Sequence, residues 1–126
     1  MSEFLTKIEI LAIHDEQIQR FGGSQGLRDE GALEAALFRP QTGYYADLIE
    51  EAAALWESLS QSHAFVDGNK RAALDVTDTF LGLNGMRLTA SDEAVIAFCT
   101  SLYETHEFNF KNLVSWLRAN TELISH

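Results

Sequence analysis

Apolar residues recur along this chain every three to four positions, the spacing of helices that bury one face. Thr6 followed by Glu9 reads as a capping box that opens a first helix, which Gly22 and Gly23 close. On it Ile10, Leu11, His14, Ile18 and Phe21 form one stripe, with Glu9, Glu16 and Arg20 opposite. A glycine-rich turn from Gly22 to Gly26 leads to Asp29, which caps a short helix placed at about Glu30 to Phe38. Pro40 restricts the residue before it and stops that helix. Asp47 with Glu50 predicts another capping box, and Ile49, Ala52, Ala53, Trp56 and Leu59 the buried stripe of a third helix. The same angular count carries His63 onto that stripe, at the helix's C-terminal end.

A loop containing Phe65 and Gly68 separates this helix from a fourth, over about Asn69 to Asn84, with Gly85 at its left-handed cap. Ala72, Ala73, Leu74, Val76, Phe80, Leu81 and Leu83 make most of its surface apolar, and only Arg71, Asp75 and Asp78 form a charged strip. A helix of that kind belongs at the centre. Thr89 to Asp92 opens a fifth helix carrying Val95, Phe98, Leu102 and Tyr103. Asn109 caps a sixth, with Phe108 and Leu113 spaced as a hydrophobic staple and Phe110, Leu113, Val114 and Leu117 as its stripe. Strand signals are nearly absent, and no repeat or linker divides the chain. The expected fold is all-α, one compact domain over residues 1–126 with about six helices around a central buried one.

Composition supports this, since one proline and eight glycines are few turn formers for 126 residues. A chain of this length buries roughly two-thirds of its unfolded surface without disulfide or metal staples. Nineteen acids against nine bases give a net charge of -10, which opposes the counterion release behind most nucleic-acid affinity. Direct nucleic-acid binding is not expected. The longest apolar run, Ala94 to Cys99, is six residues, far short of the roughly 18 of a membrane span. Glu3, Lys7 and Glu9 also interrupt any signal-peptide core. A lone Cys99 suits a reducing cytosol.

The chemistry concentrates in HAFVDGNKR, residues 63–71. Lys70 and Arg71 are two of only nine bases, placed at a predicted helix start where the macrodipole disfavours cations. Such conflict with local rules marks a candidate functional site. Free backbone N–H groups at a helix start, a glycine allowing close approach, and two cations together suit a phosphate chain. Asp67 suits magnesium, which takes one or two carboxylates and fills its remaining positions from phosphate and water. His63 suits a general base, because an imidazole with an unperturbed pKa of about 6.5 is largely free base at neutral pH. Taken singly, each residue has a plainer role. Arg71 and Asp75 are spaced for a helix-face ion pair, Asp67 and Gly68 for a turn, Asn69 for a cap, and His63 for a hydrogen-bonded core position. Their density within nine residues favours the site.

HAFVDGNKR resembles the Fic/Doc superfamily signature H-x-F-x-[DE]-G-N-[GK]-R, in the lysine form of the Doc (death-on-curing) toxins. GLRDEGALEAALFRPQ (residues 26–41), the alanine-rich helix before His63, FLGLNG after the motif and FKNLVSWLRANT near the end are similar to that family too. The resemblance implies His63 as general base, Phe65 as a core plug under the loop and Asp67 as magnesium ligand. Gly68, Asn69, Lys70 and Arg71 would surround the phosphates of ATP. Lys70 replaces a glycine of the broader Fic pattern, and Leu74 stands where Fic enzymes commonly have a second arginine. Both follow the Doc branch, which implies transfer of the terminal phosphoryl group, rather than AMP, to a protein hydroxyl. The resemblance further implies a threonine of elongation factor Tu as acceptor, translation arrest as outcome, and a Phd-type antitoxin as partner. The inhibitory pattern [ST]xxxE[GN] of stand-alone Fic enzymes does not occur here. A Fic-type AMP transferase and a non-catalytic partner-binding helical module are the alternatives.

Elsewhere the signals are thin. His14 with Asp15 forms an HD dipeptide, but a metal phosphohydrolase needs a further histidine upstream and there is none. His14 on an apolar stripe reads as a satisfied structural histidine, and His106 and His126 as exposed. No GxxxxGKS/T or GxGxxG occurs, which excludes a P-loop or Rossmann nucleotide site.

Overall fold

A computed structural model describes residues 2–124. Among them the chain forms helices α1 (Lys7–Phe21), α2 (Glu30–Phe38), α3 (Leu48–Gln61), α4 (Asn69–Leu83), α5 (Asp92–Glu104) and α6 (Phe110–Ala119). A single 3-10 turn, Arg39–Gln41, carries Pro40 on from α2. Each start follows local chemistry. The Thr6 hydroxyl accepts from Glu9 N–H while the Glu9 carboxylate accepts from Thr6 N–H, the complete capping box at α1. Asp29, Ser91 and Asn109 cap α2, α5 and α6 with one bond each. At α3 the box is only half formed: Asp47 accepts from Glu50 N–H, but the Glu50 carboxylate reaches back to Ala46 N–H instead of Asp47.

Helix α3 is the most buried and packs on α2, α4 and α6, whereas α4, expected at the centre, packs on α3 along one side and α1 along another and leaves Asp78, Thr79, Gly82 and Leu83 exposed. Ala52, Ala53 and Ala54 of α3 and Ala72 and Ala73 of α4 are all buried, and these small side chains let the helices approach closely. Val76, Phe80 and Leu81 of α4 then fill the interior with Trp56 and Leu59 of α3, Ile10 of α1 and Leu113 and Leu117 of α6. Each of the larger side chains contributes roughly 1.5–3 kcal/mol by leaving water. The expected staple is in place, with Phe108 and Leu113 both buried at the start of α6.

Four further expectations are corrected. Phe21 and Leu83, assigned to apolar stripes, are exposed, because each is the last residue of its helix and the chain turns away there. His63 is not on the α3 stripe: the helix ends at Gln61, Ser62 caps it, and His63 lies beyond in a left-handed conformation (φ +52°). Two short strands form, β1 (Met86–Leu88) and β2 (Thr121–Leu123), antiparallel with Arg87 opposite Glu122, whose side chains make an ion pair. Three-residue strands show no readable alternation, and their partners lie far apart in sequence. Among the described residues no helix is long and apolar enough to cross a membrane. His106 is exposed, whereas His126 lies outside the described residues.

Candidate active site

The loop between α3 and α4 is built to hold residues 63–68 in a fixed shape. Left-handed His63 reverses the chain at once, so that Ala64 and Phe65 turn inward and are buried. A non-glycine residue in this region costs about 1–2 kcal/mol, which local bonding must offset. Ala64 C=O accepts from both Arg28 N–H (2.7 Å) and Asp29 N–H (2.9 Å), and Val66 N–H donates to Gly26 C=O (3.1 Å). Asn69 then closes the loop on itself: its amide donates to Phe65 C=O and accepts from Phe65 N–H, both at 3.0 Å. The plug is held from below by His14, whose ring stacks on Phe65 at 3.7 Å and whose Nε2 bonds Asp67 C=O at 2.7 Å. Buried His14 is thus a satisfied structural histidine, as its place on the stripe predicts.

Above this floor lies a cleft of about 450 Å³ lined by residues that include His63, Asp67, Gly68, Asn69, Lys70 and Arg71. All six sequence-predicted site residues therefore come together. His63 is exposed at the rim. Gly68 is the N-cap of α4 at φ +75°, and a side chain there would press on Ile18 at 3.0 Å. No side chain caps this helix start, so its first N–H groups keep the partial positive charge of an open terminus. Lys70 and Arg71 add their charges to it. Arg71 is partly anchored, donating to Gly22 C=O at 3.0 Å, and Asp75 accepts instead from Gln17. The helix-face ion pair between Arg71 and Asp75 does not form.

Asp67 is exposed, and its two oxygens accept from Gly68 N–H (2.9 Å) and Ser24 N–H (3.3 Å). These two backbone bonds, with the nearby Arg71 and His14, hold its pKa below the usual carboxylate range. The Ser24 bond needs close approach of the glycine turn, since a Cβ on Gly23 would sit 2.7 Å from the Asp67 carboxylate. An ionised carboxylate offers about four lone-pair positions, and two bonds leave room for a cation. Among the described residues no cluster of three or more potential metal-ligating side chains exists. A single carboxylate of this kind fits magnesium completed by phosphate and water, and does not fit zinc.

The chain matches the model of the Fic/DOC family over residues 4–81. It is 42% identical over 95 residues, 71% of either chain, to "Toxin Doc" of Mycolicibacterium smegmatis (strain ATCC 700084 / mc(2)155). It is also 34% identical over 114 residues, 87% of this chain and 89% of the other, to "Protein kinase doc" of Escherichia phage P1. The chain belongs to the Fic/Doc family, on its Doc branch. For a Doc-branch protein the loop signature is complete, and α1 through α4 carry the matched region. Sequence reasoning missed the parts of this site that lie outside the motif. Ser60 lines the cleft from the end of α3, Ser24 holds Asp67, and Tyr103 of α5 lies against Lys70. Ser24 sits in a glycine-rich run that read only as a turn, and Tyr103 read only as part of an apolar stripe.

Proposed function

We propose that this chain is the toxin of a type II toxin–antitoxin pair and acts as a magnesium- and ATP-dependent protein kinase. The observation that carries the reading is Lys70 beside Arg71 at the uncapped start of α4, in one cleft with His63 and Asp67. The helix start, Lys70 and Arg71 bind the phosphates, as fixed dipoles and charges do best where negative charge develops in the transition state. His63 takes the proton from the acceptor hydroxyl. The hydroxyl oxygen forms a bond to the γ-phosphorus as the bond to the β-phosphate oxygen breaks, and ADP leaves. Asp67 would hold magnesium, which would supply neutralisation of phosphate charge. Asn69 acts through the backbone, keeping the loop in register.

Phosphoryl transfer is favoured over AMP transfer because Lys70 adds charge at the start of α4 while Leu74 offers none one turn further on. The name of the phage P1 relative agrees with this direction. The acceptor we propose is a threonine of elongation factor Tu, in the cytoplasm, with translation arrest as the result and a Phd-type antitoxin as the restraint. With magnesium and elongation factor Tu, label from the γ-phosphate of ATP is expected on the acceptor and label from the α-phosphate is not. Transfer of α-label would make the chain an AMP transferase. Transfer of neither label to any protein of a bacterial lysate would leave a partner-binding module.

A further inference from the structure

Lys70 occupies a position its own helix disfavours, and a tyrosine from elsewhere in the chain meets it there. Its ammonium lies 4.0 Å from the centroid of the Tyr103 ring, which projects from the last turn of α5. That ring is fixed independently of the lysine. The phenol oxygen is 2.5 Å from the hydroxyl of Ser60, a buried residue of α3, and the ring stacks on buried Phe108 at 4.4 Å and 12°. Burial pushes the Tyr103 phenol up to about 12, so the ring stays neutral beside the cation.

The negative face of an aromatic ring attracts an ammonium, which offsets the unfavourable end of the helix dipole. It also restrains a stem that otherwise samples many rotamers, so less freedom is lost when an anion binds. We propose that Tyr103 is the positioning residue of Lys70, an aromatic platform that holds the ammonium over the cleft before ATP arrives. This rests on the reading of Lys70 as a phosphate-binding group. Arg71 is held differently, by Gly22 C=O at 3.0 Å with the exposed Phe21 ring more distant at 5.7 Å, and Asn69 is held by the Phe65 backbone.

The test combines a binding cycle with a measurement that needs no nucleotide. Tyr103→Leu is expected to weaken Mg-ATP binding by about tenfold in calorimetry, the scale of a partly desolvated cation–π contact. Tyr103→Phe keeps the ring and is expected to stay within about twofold of wild type, and in a Lys70→Met background Tyr103→Leu adds less than about twofold. Equal weakening with and without Lys70 would mean that Tyr103 serves only the fold, and would overturn the proposal. By NMR, the Lys70 ε-methylene protons are expected upfield in the wild type and in Tyr103→Phe, but not in Tyr103→Leu. Absence of that ring-current shift in the wild type overturns the proposal even if γ-phosphate transfer is found, and decides the matter alone should Tyr103→Leu fail to fold. If γ-phosphate transfer fails while the shift and the cycle hold, the kinase reading falls and the platform stands.

Discussion

At the residue scale, His63 and Asp67 divide the chemistry of the proposed reaction. As the proposed base, exposed His63 would act on the incoming hydroxyl and contribute little to nucleotide binding, so His63→Ala is expected to cut γ-phosphate transfer at least about a hundredfold. ATP affinity measured by calorimetry should be nearly unchanged, and the variant should be tolerated by cells that the wild type arrests. Retained activity would remove His63 from the role of base. For Asp67 the expected signature is in the pH dependence of stability. Its folded pKa is depressed, so its loop contacts are fully present above the ordinary carboxylate range and are lost only as pH falls through the lowered folded value. The stability difference between wild type and Asp67→Asn, followed by thermal unfolding, should therefore be constant from about pH 5 to 7 and shrink below about pH 4.

The loop and the start of α4 behave as one unit at the scale of elements. The Asn69 side chain makes both bonds to Phe65, so Asn69→Ala strands a buried N–H and C=O at once. A loss of about 1–3 kcal/mol is expected for leaving such groups unpaired, measurable by urea unfolding. Transfer should fall along with it, because His63 is positioned by the same loop. An unchanged unfolding midpoint would mean that the Asn69 amide faces the nucleotide instead. Asp29 and Asn109 were readable as caps because a cap bonds within three residues of itself, whereas α5, read as opened by Thr89 to Asp92, is capped by Ser91. Asn69 also read as a cap, yet its partner lies four residues back, across the turn, where only the closed loop brings it.

At the scale of the whole molecule, α4 joins core and site. Phe80 is fully buried on the same helix whose first turn carries Lys70 and Arg71, so Phe80→Ala is expected to cost about 3–5 kcal/mol. Against a typical total of about 5–15 kcal/mol that is a large share, and a fall in the thermal midpoint by several degrees should accompany it. A smaller change would mean that α3 and α6 close over the void. Contacts of α4 with both α1 and α3 make the site depend on segments far from the signature.

Helix positions, the caps Thr6, Asp29, Asp47 and Asn109, and the buried stripes of α1, α3, α4 and α6 followed from the sequence alone, because each depends on residues three or four apart. The composition of the cleft was legible for the same reason, since its charged residues lie within one nine-residue stretch. The conformation of His63 was not, because helical periodicity cannot say where a helix stops when no glycine or proline marks the end. The β1–β2 pair, the hold of Ser24 and Gly22 on Asp67 and Arg71, and the seat of Lys70 on Tyr103 were decided only by the tertiary structure. Each joins residues that no local pattern relates, because the groups lie far apart in sequence and meet only once the elements that carry them have packed.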